Sequence, residues 1–152
     1  MGVDMIYCYE VYNPRTMLYE EHDWKGRYAL NPEKMEADPF FLRRNYALFS
    51  LLGSVCQDED EDDYITPVDF DRDIPNDACD EIIVKHHRNN WGDPHSASYV
   101  MLDELLEYDW DSIPDKFKND KGLKRFRDMT IPAMCRLVSD TSRVRLTFFF
   151  NG

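Results

Sequence analysis

The chain has 152 residues, of which 43% are hydrophobic and 14% aromatic, and its formal net charge is −12 at pH 7. That length suits one domain able to bury about two-thirds of its unfolded surface, and the apolar and aromatic content excludes intrinsic disorder. No apolar run approaches the roughly 20 residues of a membrane span, and Met1-Gly2-Val3-Asp4-Met5-Ile6 has no basic stretch leading into a long apolar one, so neither a membrane partner nor a secretory signal is expected.

Residues 3–12 alternate, with Val3, Met5, Tyr7, Tyr9 and Val11 on one side and Asp4, Ile6, Cys8, Glu10 and Tyr12 on the other; that is a strand. Asn13-Pro14-Arg15 is a turn signal, and Met17 to about Trp24 returns as a second strand of a hairpin. Residues 25–37 read as loop. Asp38-Pro39 opens a helix, with an acid at the cap and proline in the first turn; it runs through Phe41, Leu48, Leu51, Leu52 and Val55, and Gly53 is placed to stop it. After an acidic loop, Asn76 or Asp77 caps a second helix. Asp80 and Glu81 near its start, with Lys85, His86, His87 and Arg88 near its end, suit the macrodipole. Residues 89–94 form a loop, 96–101 a short strand, Leu102–Trp110 a short helix, and Ser112-Ile113-Pro114 a further turn or helix start. Residues 120–139 have helical period, with Pro132 breaking or kinking them. Val144, Leu146, Phe148 and Phe150 alternate with Arg143, Arg145 and Thr147 in a closing strand. The expected fold is therefore α+β: one domain over 1–152, with a small, mostly antiparallel sheet that includes the N- and C-terminal strands and is covered by helices on one side.

Charge is unevenly placed. Residues 58–80 hold eleven acids against the single base Arg72, a net −10, so the rest of the chain carries −2. A basic face for phosphate backbones is missing, which argues against direct nucleic-acid binding. The loop at about 57–75 is no EF-hand, because frames starting at Asp58 or Asp69 put Asp63 or Ile74 where glycine is required. A like-charge block of this kind reads first as a solvated loop. Cys8, Cys56, Cys79 and Cys135 are dispersed and form no CxxC pair, so reduced thiols in a cytoplasmic protein are expected and a zinc site is not. His86, His87 and His95 lie close in sequence, but adjacent His86 and His87 diverge by about 100° on a helix, and no metal or other cofactor is expected.

Two segments carry the candidate site. In Asp93-Pro94-His95-Ser96-Ala97-Ser98 a histidine and two hydroxyls enter a strand between Trp91 and Tyr99. Such a set hydrogen-bonds a polar ligand while an aromatic ring stacks on it. Arg43-Arg44-Asn45-Tyr46, placed by periodicity inside the first helix, adds a bidentate anion ligand and polar reach. Phosphate loops and nucleophile elbows are missing, and the glycines are isolated.

The blocks Gly2-Val3-Asp4, Arg44-Asn45-Tyr46-Ala47-Leu48-Phe49, Asp93 to Ser98 with Leu102-Asp103-Glu104-Leu105, and Val144 to Phe150 resemble a family of small uncharacterised proteins encoded by bacteriophages and bacteria. The resemblance spans the domain. It implies a phage or bacterial origin, with the cytoplasm of a bacterial host as the compartment, and it implies no chemistry. The acidic run at 58–63 departs from it as a local insertion.

The leading expectation is a non-enzymatic binding protein. Arg44, Asn45, Tyr46, Trp91, His95, Ser96 and Ser98 would line a pocket for a small anionic or nucleotide-like ligand, used by a phage against host defence. One alternative is a hydrolase of a phosphoester or nucleoside derivative, with His95 as acid or base and Asp93 orienting it. Another is an acidic interaction module in which 58–80 docks on a basic host protein. Homo-oligomerisation is compatible with all three.

Overall fold

A computed structural model describes residues 2–22, 36–69, 71–87 and 93–152. The alternating N-terminal segment forms β1 (Asp4–Asn13), and the Asn13 side chain accepts the Arg15 N–H at 2.9 Å in the turn leading to β2 (Leu18–Glu21). The two strands pair antiparallel from Glu10–Glu21 to Asn13–Leu18. The predicted loop at 25–37 lies outside the described residues up to residue 35.

The expected helix start at Asp38-Pro39 is corrected. Asp38 instead holds a turn, its Oδ1 accepting the Phe40 N–H at 3.0 Å. Tyr9 Oη donates to the Phe40 carbonyl at 2.8 Å, and Tyr7 Oη accepts the Leu42 N–H at 2.8 Å. Backbone groups that a helix would satisfy internally are thus taken by β1. The helix α1 is Tyr46–Gly53, capped by Asn45, whose Oδ1 accepts the Leu48 N–H at 2.8 Å. Arg43 and Arg44 therefore precede the helix. Ala47 to Gly53 are all buried, and an ideal Cβ on Gly53 would fall 2.7 Å from the Phe150 ring, so glycine lets the helix end close against the sheet.

Helix α2 (Asp80–His87) also starts later than expected. Asp77 is not a cap: its carboxylate takes Arg145 Nη1 at 3.0 Å, and the Cys79 N–H is donated to Glu10 Oε2 at 2.6 Å. Strand β3 (Pro94–Met101) has a bulge between His95 and Ser98, with Ser96 at φ 53°. It runs into α3 (Leu102–Glu107), shorter than expected because Asp109 caps a separate 3₁₀ turn at Trp110–Ser112. The segment from residue 121 is α4 (Lys121–Arg125), a π turn (Phe126–Thr130) and α5 (Ile131–Cys135). The expected break or kink at Pro132 takes the form of the π turn that ends just before it, with Pro132 in the first turn of α5. Its ring would press on the carbonyl four residues back, and the wider π spacing just upstream relieves that contact.

Strand β4 (Val144–Asn151) completes an antiparallel sheet of order β2-β1-β4-β3. The first and last strands are its central pair, in register from Asp4–Asn151 to Val11–Val144. One face packs Tyr9, Val100, Leu146, Phe148 and Phe150 beneath α1, α3 and the 121–135 segment; the other packs Cys8, Ala97 and Phe149 beneath Ala78, Cys79 and Ile82 around α2. The expectation of helices on one side is corrected to cover on both. Every residue from Val144 to Phe150 is buried, including Arg145 and Thr147, which alternate with the apolar residues. Glu10, fully buried opposite them, accepts Arg145 Nε at 2.8 Å and the Thr147 hydroxyl, and the Arg145 guanidinium lies 3.4 Å from the centre of the Tyr19 ring. No helix among the described residues is long and apolar enough to cross a membrane.

Candidate functional site

Two helix caps build a partly enclosed cleft. Asn45 uses its Oδ1 to cap α1 and donates its Nδ2 to Asp120 Oδ1 at 2.9 Å. Asp120 Oδ1 in turn accepts the Leu123 N–H at 3.0 Å and caps α4. The start of each helix is thereby fixed to the other. Gly122 permits the approach, since a Cβ there would lie 2.3 Å from Asn45 Nδ2. From the next turn Arg125 donates to three backbone carbonyls, those of Phe41 (2.6 Å), Glu36 (2.8 Å) and Asp38 (2.6 Å). That guanidinium holds the segment 36–41 against α4.

Between them lies a cavity of about 350 Å³. Its floor is apolar, made by Phe41, Leu42, Leu48 and Phe126, and its cations are Arg43, Arg44, Lys121 and Arg125. Arg43 pairs with Glu36. Arg44 directs Nε and Nη2 to Asp4 Oδ1 at 2.9 and 2.7 Å, and this hydrogen bond raises the guanidinium above its ordinary pKa. Lys121 is exposed, with no ion pair among the described residues. Four bases line one small cleft in a chain that carries a large negative charge.

Of the residues expected from sequence, Arg44 and Asn45 line this cavity, and both atoms of the Asn45 amide are already engaged. Tyr46 is exposed beside it. Trp91 lies outside the described residues. His95, Ser96 and Ser98 do not line it. His95 Nδ1 is 3.0 Å from Ser96 Oγ, and no hydrogen bond joins it to Asp93 among the described residues. Buried Ser98 Oγ accepts the Arg72 N–H at 3.1 Å. The two sequence blocks are connected by packing: Tyr46 lies on Phe49, Phe49 on Phe150 and Phe150 on His95, at centroid distances of 5.9, 5.1 and 6.2 Å. The same sheet end gathers Asp4, Asn151 and Pro94 in register, with Arg44 reaching Asp4. His86 packs on Phe149 and His95 on Phe150, which serve opposite faces of the sheet, so the sheet itself separates these histidines. Among the described residues no group of three His, Cys, Asp or Glu is placed to hold a metal ion.

Sequence reading missed Lys121, Arg125, Phe41 and Phe126. The available signal was the basic run Lys121-Gly122-Leu123-Lys124-Arg125 directly after a capping aspartate; only the fold brings it to Arg44. No protein-family model, curated protein or solved structure matches the chain.

Proposed function

We propose that the chain is a non-enzymatic binding protein that takes a small anionic, nucleotide-like ligand in the cleft between residues 41–48 and α4. The observation that carries this reading is the placement of Arg43, Arg44, Lys121 and Arg125 around an apolar floor in a protein of net charge −12. A cavity of about 350 Å³ falls within the usual range for small-molecule sites, which combine apolar walls with a few converging polar groups. A base or other flat apolar group would lie against Phe41 and Phe126. Phosphate or carboxylate oxygens would meet Lys121, which is exposed and has no ion pair among the described residues, and Arg44, which would exchange or share Asp4. For a chain that resembles phage proteins, withdrawing a host signalling nucleotide from solution is the use such a cleft would serve.

The test is thermal unfolding against a panel of nucleotides, cyclic nucleotides and ADP-ribose derivatives, followed by calorimetric titration of any hit. A native-state ligand raises Tm in a concentration-dependent way. Lys121→Ala and Arg44→Ala are each expected to weaken binding about tenfold, the loss of one charge-assisted hydrogen bond, and His95→Ala to leave it unchanged. A panel without a hit, or affinity indifferent to both cation removals, overturns the reading. Product formed on incubation with the hit would transfer the site to the hydrolase class.

A further inference from the structure

We infer that Cys8 and Cys79 are a redox modification site, a thiol pair that closes to a reversible disulfide fastening the start of α2 to β1. Their sulfurs lie 3.4 Å apart, in hydrogen-bonding contact, and both residues are buried, at 0% and 7% exposure. A disulfide needs a separation of about 2.05 Å, so the sulfurs need approach by only a little over 1 Å. The backbone already holds the pair in place. Cys8 is on central strand β1, in register with Thr147 on β4. The Cys79 N–H is bound to Glu10 Oε2 at 2.6 Å, two residues along the same strand. Ala78, Ile82, Ala97 and Phe149 close around the two sulfurs. Neither remaining cysteine belongs to this cluster: Cys56 is exposed and Cys135 packs with the opposite face.

Cys79 is the less deeply buried residue of the two, and a hydroperoxide small enough to reach it supplies the oxidant. The Cys79 thiol takes one oxygen atom from hydrogen peroxide, becoming a sulfenic acid and releasing one water. Cys8 sulfur then attacks Cys79 Sγ. The S–S bond forms, the S–O bond breaks, and the departing hydroxide leaves with the Cys8 proton as a second water. Two thiols and one peroxide yield one disulfide and two waters, and a dithiol reverses the step. The Cys79 hydrogen bond, and burial after it, push the Cys8 thiol far above its ordinary pKa, which disfavours Cys8 as the first sulfur to meet the oxidant; the contact of the two sulfurs at 3.4 Å is what places it to resolve the sulfenic acid. The closed bond would span a separation of 71 residues, long enough for a Tm rise on the order of 10 °C on the chain-entropy account.

The experiment uses the full chain carrying Cys56→Ser and Cys135→Ser. It is exposed to hydrogen peroxide, denatured, alkylated and digested for mass spectrometry, with a parallel melt before and after dithiothreitol. The expected result is a linked peptide pair containing Cys8 and Cys79, two hydrogens lighter than the reduced pair, in a protein that melts about 10 °C above its reduced form. Recovery of both cysteines alkylated, or of Cys79 as sulfinic or sulfonic acid without the link, overturns the proposal. So does a linked protein that melts no higher than the reduced one. Cys8→Ala must abolish the link. If that variant does not fold, the dithiothreitol-reversible mass change in the two-cysteine protein still decides the question.

Discussion

Burying Arg145 and Glu10 beneath Cys79 and Tyr19 removes two ions from water at a cost of several kcal/mol each, which contact alone offsets only when further hydrogen bonds saturate both groups. Here Glu10 gains the Thr147 hydroxyl and the Cys79 N–H, and Arg145 gains Asp77, while Arg145 Nη2 is buried with no hydrogen-bond partner among the described residues, so the offset is incomplete on the arginine side. Arg145→Met leaves the Glu10 carboxylate without its cation and is expected to cost about 3–5 kcal/mol in urea unfolding. Adding Glu10→Gln keeps the acceptor for Thr147 and Cys79 while deleting the charge, so the double variant should recover at least about 1 kcal/mol; strictly additive losses would show that the charges do not depend on each other. The pair at Arg72 gives a pH test. Arg72 Nη1 and Nη2 reach Glu104 at 2.7 and 2.6 Å, and these bonds, aided by the Met101 N–H, hold the Glu104 carboxyl below the usual range against the opposing effect of burial. A depressed folded value stabilises above the unfolded pKa of about 4.3 and loses that contribution as pH falls through the folded value. Glu104→Gln should therefore cost about 1–2 kcal/mol at pH 7, and its deficit against the parent chain should narrow as pH falls below the unfolded value of about 4.3. Urea midpoints at pH 7, 5 and 3 measure this; a gap that stays constant would rule out the carboxylate charge as its source.

At the level of elements, Gly53 sets propensity against packing. Alanine favours a helix by about 1 kcal/mol over glycine, yet its Cβ would sit 2.7 Å from Phe150 Cε2 and 3.3 Å from Phe148 Cε2. Both rings are fully buried, and Phe150 is already held edge-on by Phe49. Overpacking should win, with Gly53→Ala destabilising by about 1–3 kcal/mol and lowering a calorimetric Tm by roughly 3–10 °C; a stabilised variant would mean that the helix and sheet are not this close. Elements that alternate were legible in the sequence, since β1, its hairpin partner, β3 and β4 announce themselves by period and turn residues. The start of α1 was not. Asp38-Pro39 carries a sound start signal, and what overrides it is two tyrosine hydroxyls on a strand some thirty residues away. The cover on both faces had a sign that alternation obscured: Phe148-Phe149-Phe150 places a large ring on each face of β4. Arg44 was found because arginine in a polar block is conspicuous. Its cleft partners on α4 depend on the Asn45–Asp120 cap-to-cap bond, a contact 75 residues apart in sequence that no local pattern encodes.

Across the whole molecule, the central pairing of the sheet joins the two ends of the chain. Asp4 pairs with Asn151, and a Cβ on Gly152 would lie 2.5 Å from the Gly2 carbonyl oxygen. The unfolded chain must therefore close nearly its full length before β1 and β4 can reward each other, and such non-local pairing slows folding. The acidic loop offers the opposite case. Its side chains at 58–62 face solvent, while its base is closed by Gln57, which accepts the Ile65 N–H at 2.9 Å and donates to the Ile65 carbonyl at 2.7 Å. Cutting between Glu59 and Asp60 would leave that base, the Asp63–Lys116 pair and the buried Ile65 in place. A circular permutant joining Gly152 to Gly2 through a short Gly-Ser linker, with new ends at Asp60 and Glu59, should keep the native far-UV spectrum and melt within about 5 °C of the parent chain, because exposed loop tips tolerate new termini. Its refolding should be faster, since the longest-range pairing of the sheet becomes a hairpin closed by the linker. Stopped-flow refolding measures this. A permutant that does not fold would contradict the close approach of residues 2 and 152, and one that folds at the parent rate would show that β1–β4 closure does not limit folding.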